Sequence, residues 1–236
     1  MITFSIPRAT AERLARLHLA CASDESPAIV HIALRVIGDQ VRFSATNGKI
    51  LASVVVTTTD MVGSNTNCVL VKEQFTAGLK AALKVHGTRI AFKIGTDEAR
   101  ICNAGMESIV RILDTPFPVV DHVWSRPATK RWVPCIASLD PRLVEIAGKI
   151  AGNKAPLLLS SAVDPSQGLE RIWANNGDEA ISLSSMRALT RTPAYWSDGE
   201  LALFIMPVCR SDAEPQLNLS AQTMVQETTA PVAVAA

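Results

Sequence analysis

The most constraining stretch of the chain is residues 41–51, VRFSATNGKIL, in which two alternating apolar runs flank Asn47-Gly48. Asn and Gly accept positive φ more readily than other residues, so this dipeptide between such runs predicts a β-hairpin. The pattern returns at residues 170–177, ERIWANNG. There Arg171, Ala174, Asn176 and Gly177 repeat Arg42, Ala45, Asn47 and Gly48 at a constant offset of 129 positions (42 to 171). The same offset carries the helically spaced Leu14, Leu17 and Cys21 onto Leu143, Ile146 and Ile150, and Arg13 onto Arg142. Helix and hairpin therefore repeat together, as a strand-helix-strands module used at least twice, and the fold class is α+β.

Read in order, the first module comprises a strand at 2–6, a helix at 9–22 and strands at 29–37, 40–45 and 50–58. The second has a strand at 68–71, a helix at 72–85 with Phe75, Leu79, Ala82 and Leu83 inward, and strands at 89–94, 98–103 and 107–113. Pro116, Pro118 and Pro127 then interrupt the pattern, since proline cannot donate to a central ladder. A third module starts with a strand at 132–137 and a helix for which Asp140 is the expected N-cap and Pro141 the first residue. Its strands are expected at 157–163, 169–174 and 180–183. A helical turn at 186–191 and an apolar strand at 201–208 make up a truncated fourth module. This divides the chain into a first domain (1–122, two modules), a connector (123–130), a shortened second domain (131–210) and a disordered tail (211–236), where periodicity gives way to Ser, Thr, Gln, Pro and Ala.

With 236 residues, 48% of them hydrophobic, the chain has material for two medium cores. Its five cysteines are odd in number, widely spaced and without a CxxC pair, which fits a reducing compartment and an expected cytoplasmic location. The N-terminal sequence has no export signal, and no apolar run reaches membrane-spanning length. His18, His31, His86 and His122 stand apart, and no HExxH, GxSxG, Walker loop or metal-spaced Cys/His set occurs. The expectation is a protein that is not an enzyme and needs no metal or cofactor.

A net charge of +1 argues against a protein coated in positive charge but permits segregation of charge onto one surface. Arg13 and Arg16, Lys80 and Lys84, and Arg142 and Lys149 each fall on the outward side of one of the three predicted helices. Packed side by side, these helices form a basic surface that binds duplex phosphates without reading bases. An ordinary solvated helix face has the same pattern, and Glu12, Glu73 and Glu145 dilute it.

Three short motifs, in order, resemble the bacterial DNA sliding clamps, the β subunit of DNA polymerase III. The family's ATDGHRLA hairpin is matched by ATNGKILA at 45–52. Its LIDGRFPDY phrase is matched by ILDTPFPV at 112–119, and its closing YVVMPMRL strand by LFIMPVCR at 203–210. The resemblance implies the clamp fold, a ring with helices inside and sheets outside. It also implies a non-enzymatic processivity factor that encircles duplex DNA, and a pocket for short peptides of polymerase and clamp loader. Residues at the matching pocket positions are Thr46, Gly48, Leu51, Met206, Pro207 and Val208. Lys49 and Ile50 replace the family's His-Arg, and Val208 replaces its second Met, which alters the expected partner specificity.

Family members have three domains per chain, and this chain has room for under two. Three such chains would supply six domains, the favoured assembly, while four chains with twelve full modules would form a dihedral tetramer. The tail carries QLNLS at 216–220, similar to the QLSLF-like peptides that the family's pocket receives, and so is a candidate occupant of its own pocket. Two other readings stand beside the ring: a clamp-derived protein that binds or competes for replication factors without encircling DNA, and an unrelated α+β enzyme.

Overall fold

The two modules of the first half both form, but neither closes a sheet alone. The computed structural model describes residues 1–23, 29–63, 65–118, 131–134, 139–152, 159–163 and 194–208. Module one contains β1 (Ile2–Pro7), α1 (Arg8–Leu14), a 3-10 turn (Leu17–Ala20), β2 (Ile32–Ile37), β3 (Gln40–Thr46) and β4 (Ile50–Thr57). Module two contains β5 (Thr66–Leu70), α2 (Lys72–Lys84), β6 (Arg89–Ile94), β7 (Glu98–Asn103) and β8 (Met106–Leu113). Each module gives its first strand to the other: β1 pairs with β6, and β5 pairs with β2. From the second half come β9 (Arg131–Pro134), α3 (Pro141–Ala151), β10 (Ser160–Val163), β11 (Ala194–Ser197) and β12 (Leu201–Ile205). All pairings are antiparallel, and the strands follow in the order β1-β6-β7-β8-β5-β2-β3-β4-β12-β11-β10-β9.

This exchange is built on alternation. Phe4, Phe92 and Phe43 lie on the inward faces of β1, β6 and β3, and Phe75 comes down from α2 to meet them. Phe4 stacks on Phe92 with ring centroids 5.1 Å apart, and Phe43 lies 5.6 Å from both Phe75 and Phe92. Four rings from both modules thus share one core. Burying an aromatic of this size stabilises by roughly 1.5–3 kcal/mol, so neither module can detach without exposing several such residues.

The C-terminal carbonyls of α2 are satisfied from outside the helix. The Arg8 guanidinium donates to the carbonyls of Val85 (2.9 Å) and Leu83, and Asn103 Nδ2 donates to those of Ala82 (2.8 Å) and Val85 (3.3 Å). Unpaired carbonyls at a helix end are costly to bury, so these two side chains fasten α2 to β1–α1 and to β7. Gly87 makes room for this arrangement: a Cβ there would lie 2.4 Å from Asn103 Oδ1.

Several expectations are corrected. The helix expected at 9–22 breaks into α1 and the 3-10 turn, because Ala11, Leu14, Ala15, Leu17 and Ala20 all go inward. A 3-10 turn aligns residues three apart, so it holds Leu17 and Ala20 on one side where a continuous helix would rotate one of them outward. Cys21 is consequently only partly buried. At the hairpin, Gly48 alone has positive φ (+83°). Asn47 acts through its side chain, whose Oδ1 accepts from the backbone N–H groups of Lys49 and Ile50, both at 2.9 Å, so the turn is wider than two residues. The strand expected at 201–208 ends at Ile205 ahead of Pro207, and β11 was not anticipated, since four residues give too short an alternation to read. The repeat at 170–177, the strands at 169–174 and 180–183, the turn at 186–191, the connector at 123–130 and the tail at 211–236 lie outside the described residues.

Candidate nucleic-acid and peptide interfaces

The three helices do come together. α1 packs against α2, and α3 packs against the 3-10 turn that follows α1, giving a row α2–α1–α3. On α2 the exposed positions Glu73, Ala77, Lys80 and Lys84 recur at helical spacing, while Phe75, Leu79 and Ala82 are buried beneath them. On α3 the exposed positions include Arg142, Glu145 and Lys149, over buried Leu143, Ala147 and Ile150. Lys149 Nζ lies 2.6 Å from Glu145 across one helical turn, an exposed pair of small energetic worth that leaves the ammonium accessible. Asp140 caps α3 as expected, its Oδ1 accepting from the Arg142 N–H at 2.9 Å.

Arg13 and Arg16 are placed differently from the outward position expected of them. The Arg13 guanidinium bridges two carboxylates of the β11–β12 turn, with Nη2 2.8 Å from Asp198 Oδ2 and Nη1 2.9 Å from Glu200 Oε2. Arg16 bends back along its helix, where its Nε donates to the Glu12 carbonyl (3.2 Å) and Nη1 to the Lys149 carbonyl (3.3 Å). Both cations, Arg13 on α1 and Arg16 just before the 3-10 turn, are engaged in contacts within the chain. Asp198 and Glu200 carried no signal at the sequence level, because the only local feature is a polar turn and its partner lies 187 positions away.

His18, in the 3-10 turn, is held neutral more firmly than a free histidine. Partial burial lowers its pKa, the Lys80 and Lys72 ammonium groups lower it further, and the hydrogen bond to the Ala15 carbonyl opposes them.

The second candidate site assembles where β12 lies on β4. Leu203 pairs with Ala52, Phe204 with Leu51 and Ile205 with Ile50, and the Met206 N–H donates to the Lys49 carbonyl at 2.8 Å. This register brings the start of the Met206–Val208 segment to the end of the Thr46–Leu51 hairpin. Thr46 Oγ1 accepts from the Gly48 N–H (3.0 Å) and donates to the Ile50 carbonyl (2.7 Å), which braces the turn. Ile50, Ile205 and Ala194 are fully buried on the core face, and the opposite face carries the row Thr46, Leu51, Phe204, Tyr195 across β3, β4, β12 and β11, in which Phe204 is half-buried and the other three are buried. Met206 and Val208 flank that row and are 47% and 43% exposed. Sequence reasoning missed Phe204 and Tyr195, whose rings lie 4.7 Å apart. The alternation of LALFI was the available signal for Phe204, but β11 had to be placed before Tyr195 could join it.

No protein-family model matches this sequence, and no curated protein resembles it at a significant level. The fold is matched. The structure is similar to the DNA polymerase III subunit β of Pseudomonas aeruginosa with a TM-score of 0.56 at 15% identity, covering 89% of this chain and 67% of that one. The chain has the DNA sliding-clamp fold. The β subunit of Thermotoga maritima gives a TM-score of 0.56 at 14% identity (89% and 66% covered), and the sliding clamp of Bacillus subtilis gives 0.55 at 14% (88% and 64% covered). The chain thus spans about two-thirds of the length of these clamps. Among its described residues no helix is long and apolar enough to cross a membrane, and no group of three or more His, Cys, Asp or Glu side chains is placed to hold a metal.

Proposed function

We propose that this chain is a non-enzymatic DNA sliding clamp of the cytoplasm, a processivity factor that encircles duplex DNA without sequence preference and tethers replication proteins. The observation that carries the reading is the row α2–α1–α3 in a clamp fold, with Lys80, Lys84, Arg142 and Lys149 exposed along it. Ammonium and guanidinium groups on smooth helix faces neutralise phosphate and leave base edges unread. Two clamp domains per chain favour a trimer. Ring closure would use β8: β7 covers one of its edges, β5 pairs with only Ile112 and Leu113 on the other, and Ile109 on this strand is 57% exposed. A neighbouring copy's strand completes that edge in the proposed ring, as β12 completes the edge of β4 within the chain.

Exposed Met206 and Val208 and half-buried Phe204, with the buried row Thr46, Leu51 and Tyr195 as their support, are the proposed docking site for short peptides of a polymerase or clamp loader. The tail segment 216–220, QLNLS, begins eight residues after Val208 and competes for the same row at high effective concentration. Deleting residues 211–236 should then tighten binding of an external QLSLF-type peptide, and equal affinity with and without the tail rules out self-occupancy. The decisive experiment for the ring is retention on nicked circular DNA before and after linearisation. An encircling clamp is retained on the circle and slides off the linear form, whereas equal retention on both contradicts encirclement.

A second reading, an interaction protein that does not encircle DNA, is favoured by the engagement of Arg13 with Asp198 and Glu200, which neutralises one of the six expected cations of the helix row. Light scattering separates the two, since a stable monomer of 25.3 kDa cannot form a ring.

A further inference from the structure

The β11–β12 turn is built as a rigid anionic socket. Asp198 Oδ1 accepts from the N–H groups of Glu200 (3.2 Å) and Leu201 (2.9 Å), Gly199 takes φ +98°, and the Ser197 hydroxyl accepts from the Gly199 N–H (3.1 Å). The Glu200 carbonyl accepts from the Val55 N–H of β4 at 2.8 Å, so the turn is tied to the first half through its backbone. Asp198 Oδ2 and Glu200 Oε2 then receive one guanidinium, that of Arg13, while the Thr10 hydroxyl donates to Glu200 Oε1. One turn further along the chain, Arg16 reaches the last turn of α3, where Gly152 ends the helix at a φ of +86° that favours glycine. Residues Thr10, Arg13 and Arg16 thus touch the second half of the chain at two separate points, the β11–β12 turn and the end of α3.

From this geometry we infer that Arg13, braced by Arg16, is the positioning residue that sets the angle between the two halves of the chain. The inference rests on the ring reading for its functional consequence, because a fixed angle per chain is what permits a small number of copies to close. The halves are also joined by the β4–β12 ladder and by apolar contacts of Leu143, Ala147 and Ile150 in the shared core, but antiparallel strands twist about one another over a range of about 10–35° and apolar contacts are non-directional, so neither fixes the angle alone. A planar fork held by two carboxylates removes that freedom, and lysine cannot reproduce it. Arg13 therefore acts through the shape of the ring and makes no phosphate contact of its own.

The test uses the full chain with Arg13→Glu, with Arg13→Gln as the milder variant, and with the charge exchange Arg13→Glu/Glu200→Arg. Asp198 is kept in each, so the turn retains its own cap. Two readouts are taken: the distance distribution between spin labels attached through noncanonical residues at exposed Thr96 and Glu145, and the retention half-life on nicked circular DNA. Either single variant should broaden the distance distribution and shorten retention about fivefold, within the usual coupling range of neighbouring charged residues. The charge exchange should restore both. Retention lost at unchanged distances, and not recovered by the exchange, would make Arg13 a phosphate contact and overturn the proposal. Unchanged distances with unchanged retention overturn it equally. If the wild-type chain is not retained on circles, the ring reading fails by itself, and the distance distributions still decide the role of Arg13.

Discussion

Helices α1 and α2 follow the first strands of two successive modules, and each carries two cations expected to face outward, yet they use them in different ways. On α2, Lys80 and Lys84 are exposed. On α1 and the turn that follows, Arg13 holds two carboxylates and Arg16 holds the end of α3. Arginine presents a forked, weakly hydrated donor set that suits fixed carboxylate and carbonyl acceptors, while lysine is a strongly hydrated point charge on a flexible stem. The number of cations on a helix is therefore a poor measure of the charge it offers to a ligand, and residue type distinguishes the joint from the surface.

The strongest way to break this contrast is to remove the exposed cations together. Replacing Lys80, Lys84, Arg142 and Lys149 with Ala should lower DNA retention by orders of magnitude and reduce the slope of log affinity against log salt by about one unit per cation. Arg13→Ala should leave that slope where it is. Salt titration of both variants checks the pair, and equal slope changes would place Arg13 with the lysines.

The contrast also holds that α1 serves the fold through its arginines, and Arg8 is the clearest case. Arg8→Ala removes the donor to the Leu83 carbonyl and one of the two to Val85, and should destabilise the chain by about 1–3 kcal/mol in urea unfolding. Lys84→Ala, on the exposed face of the helix that Arg8 caps, should change stability by about 0.5 kcal/mol or less.

If α2 lines a hole, β8 must meet another copy. Ile109→Lys places a charge on the exposed side of that edge strand and should shift the light-scattering mass toward the monomer, with the unfolding midpoint unchanged. A full-sized assembly would separate the α2 surface from ring formation.

The smallest expected effect concerns His18, which lies between the two helix systems. Its pKa is lowered in the folded chain, so the unfolded chain takes up the proton first. The stability contributed by neutral His18 is present above pH 6.5 and is lost as pH falls through the lower folded value. The wild-type unfolding midpoint should fall more between pH 7.5 and pH 5 than that of His18→Asn. Identical pH profiles would show that burial does not hold His18 neutral in the folded chain.

Sequence alone determined what depends on neighbours a few residues apart. The bounds of β6 and β7, the Asp140-Pro141 start of α3 and the presence of a hairpin at Asn47-Gly48 follow from side-chain alternation, capping and φ preference, all of which act within a turn or two of chain. The hairpin and the closing strand also read correctly as neighbours, because the clamp-like motifs appear in the same order. Only the tertiary structure decided the exchange of β1 and β5 between modules, the row that adds Phe204 and Tyr195 to the predicted peptide site, and the neutralisation of Arg13. In each case the deciding partner is remote in sequence, and a backbone ladder, ring contact or ion pair of that kind imposes no local pattern on either residue. A guanidinium aimed at solvent and one aimed at Asp198 and Glu200 have the same neighbours along the chain, and only the position of the β11–β12 turn tells them apart.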